Sequence, residues 1–184
     1  MNTMMQRCRI TIAMAALMAA SGAFAATMSK AEYTAAKDKI SADFKADKAA
    51  CDSYSSNAKD VCVEQAKGKE KVARAELEYN YSGKPADANK LAVAKADAAY
   101  EVAKESCDDK SGNAKDVCVT EAKSAHTKAL ADAKMNEKVG DARKDAADDK
   151  RDADYKLAIQ KCDSLSGDAK AACVQAAKAR FHKS

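Results

Sequence analysis

The chain has 184 residues, of which 33% are charged and 5% aromatic, with no tryptophan, one proline and six glycines. So few turn-forming residues argue against an all-β protein, which needs frequent turns. Large apolar residues are also scarce, since Val, Leu, Ile and Phe together number 18 of the 159 residues after position 25. That share is well below the roughly 20% at which a conventional core becomes doubtful. The composition therefore predicts helices and argues against a thick globular enzyme.

Residues 1–25 have the features of a secretory signal peptide. Arg7 and Arg9 precede an apolar run over 10–20, and Ala23-Phe24-Ala25 supplies a small-x-small cleavage site. About eleven apolar residues cannot cross roughly 30 Å of hydrocarbon as a helix. We expect cleavage after Ala25, export to the periplasm and no membrane insertion of the mature chain.

The charge of the mature chain bears on its partners. Removal of Arg7 and Arg9 lowers the formal net charge from +4 to +2, and the basic and acidic residues that remain are interspersed. A weak and unsegregated field predicts no nucleic-acid partner. Binding to an envelope protein or an anionic envelope polymer stays open.

Three repeated units follow the signal, each built around two cysteines separated by ten residues. The flanking sequences recur as CDSYSSNAKDVC, CDDKSGNAKDVC and CDSLSGDAKAAC, at intervals of 56 and 55 residues. A period of this length is typical of a tandem helical array. The units are expected at 26–84, 85–140 and 141–184.

Each unit is predicted to be a helical hairpin. Segments rich in Ala, Lys, Glu and Asp flank a polar centre that favours a turn. Short oxygen-bearing side chains at the start of the returning segments predict these N-caps: Asn57, Asn113 and Asp168. Gly112 and Gly167 are expected to end the preceding helix in the left-handed conformation.

The position of the cysteines about each turn favours three local disulfides. Six cysteines allow fifteen pairings, so sequence alone does not decide the connectivity. Their symmetry about the turns favours these pairs: Cys51–Cys62, Cys107–Cys118 and Cys162–Cys173. Each closes a loop of about a dozen residues, worth just under 3 kcal/mol in the chain-entropy model. Such bridges can offset a thin core, as in small secreted domains.

Helical spacing also predicts the faces that pack. One stripe with 3-4 spacing consists of Val93, Ala96, Tyr100, Ala103 and Cys107, and its counterpart on the returning helix consists of Cys118, Ala122, Ala125, Ala129 and Ala133. The segment 82–85 (SGKP) predicts a break with Pro85 at a helix start. Gly140 occupies the matching place in the second unit without a proline, which leaves a break or a continuous helix open.

Several other residues could carry chemistry. His126 and His182 are expected to be exposed and solvated. Asp145, Asp148, Asp149 and Asp152 share a helix face in the charged run 141–154, but the interleaved Lys and Arg favour a solvated helix with ion pairs over a cation site. Tyr100 and Tyr155 each stand seven residues before a first cysteine, which favours packing beneath the disulfide, while Tyr79 and Tyr81 are expected to cap the first unit.

The helices rich in Ala, Lys and Asp after an export signal, with their CDxxS-(S/G)-(N/D)-AKxxC units, resemble a group of uncharacterised exported proteins of Gram-negative bacteria. Such proteins are sometimes labelled cell-envelope or TolA-like, and the TolA likeness is compositional. The resemblance covers nearly all of residues 26–184. It implies a periplasmic location and a helical form, and it implies no functional residues.

The sequence therefore predicts an elongated all-α protein of three tandem helical hairpins pinned by disulfides. The leading interpretation is a non-enzymatic structural or interaction protein of the envelope, with a role in stress as one form of it. No cofactor or bound metal is expected, and self-association stays open. One alternative is a redox-active or metal-handling protein whose cysteines cycle. Another is a holdase-like chaperone.

Overall fold

The computed structural model describes residues 28–183, and within that range the chain is all-α. The predicted signal peptide and its expected cleavage after Ala25 lie outside the described residues. Five α-helices follow one another: α1 Lys30–Ala50, α2 Ser56–Ser82, α3 Pro85–Ser106, α4 Gly112–Cys162 and α5 Gly167–Phe181. Short 3-10 turns at Cys51–Ser53 and Cys107–Asp109 follow α1 and α3. The predicted fold class of tandem disulfide-pinned hairpins is confirmed.

Each helix packs mainly on the helix that precedes it and the one that follows it. The main contacts join α1 to α2, α2 to α3, α3 to α4 and α4 to α5. Helix α4 has 51 residues, or about 76 Å at 1.5 Å per residue. It runs through Gly140 without a break, so the second and third units share one helix.

Three of the helix ends follow directly from the local sequence. Ser29 and Glu32 form a reciprocal capping box at the start of α1. Gly83 ends α2 with a φ of 63°, a value that glycine adopts without steric penalty. Pro85 is the first residue of α3, as predicted, because its missing N–H would be unpaired there in any case.

The predicted N-caps of the returning helices are wrong. Helices α2, α4 and α5 are preceded by serines in extended conformation, two residues earlier than predicted: Ser55, Ser111 and Ser166. The first residue of each helix takes a positive φ, near 50–55°: Ser56, Gly112 and Gly167. The two glycines are therefore left-handed as expected, but they begin the following helix and do not end the preceding one.

The core is thin and made mostly of small side chains. Its buried apolar members are alanines, the first cysteine of each pair and Leu77. In the predicted stripes Ala96, Cys107, Ala122 and Ala133 are buried, whereas Ala125 is exposed, contrary to expectation. Alanines allow close helix approach, and a Cβ added to Gly68 of α2 would lie 3.0 Å from the Cβ of Ala98 in α3.

The charged run 141–154 is an exposed part of α4 that carries ion pairs, as predicted. Lys144 donates to Asp148 at 3.0 Å, and Arg151 also pairs with Asp148. Asp152 accepts from Lys183, just beyond α5, at 2.7 Å. The two other acids of the predicted face, Asp145 and Asp149, are exposed. None of the helices within residues 28–183 has the length and hydrophobicity that a membrane span requires.

Candidate functional site

The three turns that carry the cysteines have one geometry. Disulfides join Cys51 to Cys62, Cys107 to Cys118 and Cys162 to Cys173, with Cα–Cα distances of 5.6, 5.7 and 5.7 Å. The pairing is the one that the symmetry of the sequence favours. The first cysteine of each pair is fully buried, and the second is half-buried. We call residues 51–62, 107–118 and 162–173 the disulfide turns.

An ion pair spans each disulfide turn beside the covalent bond. The aspartate directly after the first cysteine pairs at 2.9 Å with the lysine three residues before the second: Asp52–Lys59, Asp108–Lys115 and Asp163–Lys170. In the first turn, the hydrogen bond from Lys59 lowers the pKa of the Asp52 carboxyl. The Cys-Asp and Ala-Lys dipeptides that recur in the three units therefore supply an ion pair as a second link across each turn.

The tip of each disulfide turn presents one exposed residue of variable chemistry. Tyr54, Lys110 and Leu165 each stand three residues after a first cysteine, and all three are exposed. Their backbone N–H groups donate to the carbonyl of that cysteine at 3.0 Å in every turn. The turns thus hold a common backbone and display different side chains.

The first two disulfide turns lie side by side, and the third lies far from them. A shallow groove is lined by Tyr54, Val61 and Cys62 from the first turn and by Ser106 and Asp109 at the second. Along α4, Cys162 stands 44 residues after Cys118, about 66 Å away. The chain therefore displays two adjacent tips at one end of α4 and one tip at the other.

No protein family, curated protein or solved structure matches this chain. The three internal copies still allow a comparison of equivalent positions. The aromatic residue seven before each first cysteine lies near the residue eight after each second cysteine. The resulting pairs are Phe44 with Glu70, Tyr100 with His126, and Tyr155 with Phe181.

In the second unit these positions form a polar cluster across three helices. His126 of α4 lies with Nε2 at 2.7 Å from Asp97 Oδ1 of α3, and its ring stacks on Tyr100 at 4.8 Å between centroids. Lys71 of α2 donates to the other oxygen of Asp97 at 2.7 Å. We call Lys71, Asp97, Tyr100 and His126 the Asp97 cluster.

The environment of Asp97 stabilises its ionised form. Hydrogen bonds from Lys71 and then from His126 hold the pKa of the carboxyl below its ordinary value, and partial burial opposes them weakly. The imidazole is only 22% exposed, so the prediction of a solvated His126 is wrong. His182, at the end of α5, is exposed as predicted.

Two further aromatic pairs form contacts between neighbouring helices. Tyr155 meets Phe181 edge to face at 5.9 Å, beneath the third disulfide turn as predicted. The rings of Tyr33 and Tyr81 lie in a tilted arrangement with their centroids 4.5 Å apart, and the hydroxyl of Tyr33 donates to Glu78 at 2.7 Å. Tyr79 and Tyr81 are similarly exposed, at 37% and 39%, and Tyr81 contacts Tyr33 at the end of the first hairpin.

The Asp97 cluster is the feature that sequence reasoning missed. Its signal was the equivalence of His126 and Phe181, each eight residues after a second cysteine. Within residues 28–183 no group of three or more His, Cys, Asp or Glu side chains is arranged to hold a metal ion. The contacts of the Asp97 cluster link α2, α3 and α4 to one another.

Proposed function

We propose that this protein is a non-enzymatic structural or interaction protein of the cell envelope, exported to the periplasm, whose helices and turns present binding surfaces at a fixed separation. The observation that carries the proposal is the unbroken helix α4. It joins two disulfide turns about 66 Å apart along one axis. A single helix of this length acts as a spacer, because its backbone hydrogen bonds resist bending.

The disulfides support the periplasmic location. Bridges of this kind persist in oxidising compartments such as the periplasm and are rare in the cytosol. In this chain all three are built into hairpins with ion pairs across the same turns. An export signal at residues 1–25 would deliver the cysteines to such a compartment.

The hairpin tips support a role in binding. Tyr54 is 55% exposed and Leu165 is 42% exposed, on turns that are otherwise held by a disulfide and an ion pair. A rigid backbone that displays an exposed apolar side chain loses little conformational entropy when a partner covers it. The equivalent Lys110 provides a charged counterpart in the same geometry.

The first test concerns the state of the cysteines. Intact mass is measured on protein extracted from the periplasm without reductant, after treatment with a thiol-alkylating reagent. We expect a chain that begins at Ala26, with a mass about six hydrogens below the fully reduced value and no added alkyl groups. Free thiols or a bound metal would instead favour the redox or metal-handling alternative.

The second test concerns the binding surfaces. A photo-crosslinking amino acid is placed at Tyr54, Leu165 or Lys110 in living cells, so that all three probes occupy the same position of the turn. We expect crosslinks to envelope components from the two apolar positions and markedly fewer from Lys110. Equal labelling from all three, or none, would contradict binding through the tips.

A further inference from the structure

The two halves of α4 are repeats of α2 and α3. Counted from the cysteines, residues 112–138 of α4 correspond to α2, and residues 140–161 correspond to α3. Helices α2 and α3 pack on each other, because the chain turns back at Gly83. Helix α4 continues straight through Gly140, so its halves cannot make the corresponding contact within one chain. The surfaces that correspond to the α2–α3 interface are therefore left without each other.

Both of these surfaces lie on one side of α4. In the α2–α3 interface, a Cβ added to Gly68 would lie 3.0 Å from the Cβ of Ala98. Their equivalents in α4 are Ser124, six residues after a second cysteine, and Ala153, nine residues before a first one. Since these two positions are 29 residues apart, they differ by only about 20° around the helix axis. A second helix along this side would meet both surfaces at once.

This side of α4 is exposed over most of the length of the helix, and we call it the α4 face. It faces away from α3 and α5, which α4 contacts through His126 and Tyr155. Its larger apolar members include Val117, Met135 and Leu157, which are 47%, 55% and 54% exposed. From Val117 to Leu157 the α4 face is about 60 Å long.

The α2–α3 interface also supplies the register for a second copy. Because α2 and α3 are antiparallel and Gly68 faces Ala98, the same arrangement places Ser124 of one copy opposite Ala153 of the other. A two-fold axis perpendicular to α4 then passes near residues 138 and 139. Each half of α4 meets the other half of the second copy.

A charged pair of the α2–α3 interface recurs in this register with its signs exchanged. Asp87 and, more weakly, Glu78 of α2 raise the pKa of the Lys90 ammonium in α3, so Glu78 and Lys90 are neighbours across the interface. Their equivalents in α4 are Lys134 and Asp145, and both are exposed. Lys134 of one copy and Asp145 of the other would therefore form the same link.

A second pair of positions changes in a compensating way. One turn along each helix from the closest approach of α2 and α3, half-buried Val72 lies opposite buried Ala94. The equivalents in α4 are Lys128 and Asp149. An apolar contact is thus replaced by opposite charges, which is expected where two surfaces still meet.

Like charges also approach one another in this register. Lys123 approaches Lys156 of the second copy, Lys128 approaches Lys150, and the two copies of Lys138 lie near the axis. Each approach has an aspartate within one turn on the same helix, which reduces the repulsion. We therefore expect a dimer that dissociates on dilution.

We infer that two copies of this chain form an antiparallel homodimer through the α4 face, in which each half of α4 packs on the opposite half of the other copy's α4 as α2 packs on α3. This exchange of equivalent elements resembles domain swapping. It continues the layer of helices from one copy into the other and brings the third disulfide turn of one beside the second disulfide turn of the other. A seam about 60 Å long and one helix, about 10 Å, wide approaches the about 800 Å² per partner of a standard interface. The inference goes beyond the proposed function and does not depend on it.

The first test is the position dependence of crosslinking in the purified mature chain with its native disulfides intact. Val139 lies next to the two-fold axis, so Val139→Cys should give a covalent dimer with a short bismaleimide. The matched control is Leu157→Cys, on the same face, whose two copies lie about 55 Å apart in the antiparallel dimer and should not crosslink. A parallel pair would crosslink through both, and a chain folded back on itself would crosslink through neither. Circular dichroism checks that both variants keep the native helix content.

The second test is sedimentation equilibrium over a series of concentrations. We expect a monomer–dimer equilibrium that Lys134→Asp and Asp145→Lys each weaken by about tenfold, since each change acts twice in a symmetric dimer. The double variant should recover most of the loss. Within one straight α4 these residues are about 16 Å apart along the axis, so a recovery reports the contact between copies.

A chain that stays monomeric at all concentrations, crosslinking that is absent at Val139 or equal at Leu157, or a double variant without recovery would overturn the inference. Both experiments use purified protein alone. A failure here would leave the proposed envelope role to be decided by the crosslinking of the tips in cells.

Discussion

The imidazole Nε2 of His126 lies 2.7 Å from the carboxylate of Asp97, and this contact joins α4 to α3. The same carboxylate accepts a hydrogen bond from Lys71 of α2, so one side chain links three consecutive helices. Alanines are the most numerous of the buried apolar residues. In so thin a core, a half-buried polar link of this kind has an unusually large share in fixing the helices.

The pKa of Asp97 should depend on Lys71. Because the carboxyl is held below its ordinary pKa mainly by Lys71, Lys71→Met should raise that pKa towards 3.8. The stabilisation is present at pH values above the pKa of Asp97 in the unfolded chain, and it is lost as the pH falls through the pKa of Asp97 in the folded chain. The variant should therefore be less stable above about pH 4, by under about 1 kcal/mol since Lys71 is exposed, and should match the parent at lower pH.

The measurement is an NMR titration of the Asp97 carboxyl, together with denaturant unfolding at several pH values. Lys67→Met is the control, because Lys67 lies one turn away and pairs with Glu64. A pKa of Asp97 that moves equally in both variants would contradict the assignment.

The third unit suggests a substitution that separates the two contacts of His126. Phe181 occupies the equivalent position and packs on Tyr155, so His126→Phe should keep the packing on Tyr100 and lose the hydrogen bond to Asp97. We expect a loss of about 1 kcal/mol at neutral pH. His126→Ala, which removes both contacts, should lose more. A higher melting temperature for His126→Ala than for His126→Phe would argue against stacking as a stabilising contact.

The left-handed residue that begins each returning helix gives a matched pair of substitutions. Ser56 adopts a φ of 51°, which is unfavourable for a residue with a Cβ. Ser56→Gly should raise the free energy of unfolding by about 0.5–1 kcal/mol. The reverse change Gly167→Ser, at a φ of 55° with nothing within 4 Å of an added Cβ, should lower it by a similar amount. Chemical denaturation measures both, and changes of the same sign would be inconsistent with backbone strain.

The third disulfide should have the most local effect. Among the helices of residues 28–183, α5 has its main contacts with α4 alone, whereas α3 packs on α2 and on α4. Replacing Cys162 and Cys173 together with alanine should remove just under 3 kcal/mol of stabilisation and open α5 selectively. Hydrogen exchange should then show loss of protection in 167–181 with α1–α3 unchanged. The matched control replaces Cys107 and Cys118 with alanine. In that variant α3 should keep more protection than α5 keeps in the variant that lacks Cys162 and Cys173.

Two glycines within helices should respond differently to alanine. Gly140 lies in α4 with nothing within 4 Å of an added Cβ, so Gly140→Ala should stabilise the protein by up to about 1 kcal/mol through helix propensity. At Gly68 the new Cβ would lie 3.0 Å from that of Ala98, so most or all of that gain should be lost. Thermal unfolding of the two variants measures the difference, and an equal gain at both positions would contradict the close approach of α2 to α3.

The sequence by itself determined the helical class and the three units, and its symmetry about the turns favoured the disulfide pairs that the structure contains. These features are local: the cysteines of a pair stand eleven positions apart across one turn, and a helical hairpin brings such positions together without help from the rest of the chain. Pro85 at a helix start is local in the same sense, because its φ and its missing N–H act on its own backbone.

Only the tertiary structure decided the role of His126 and the path of α4. Asp97 stands 29 residues before His126 and 26 after Lys71, and the register between packed helices, which no single segment specifies, brings the three side chains together. The continuity of α4 at Gly140 was open because glycine weakens a helix without ending it. The sequence also misplaced the start of each returning helix. Residues 56, 112 and 167 begin these helices with a left-handed φ. The geometry of the closed hairpin imposes that conformation, even on Ser56.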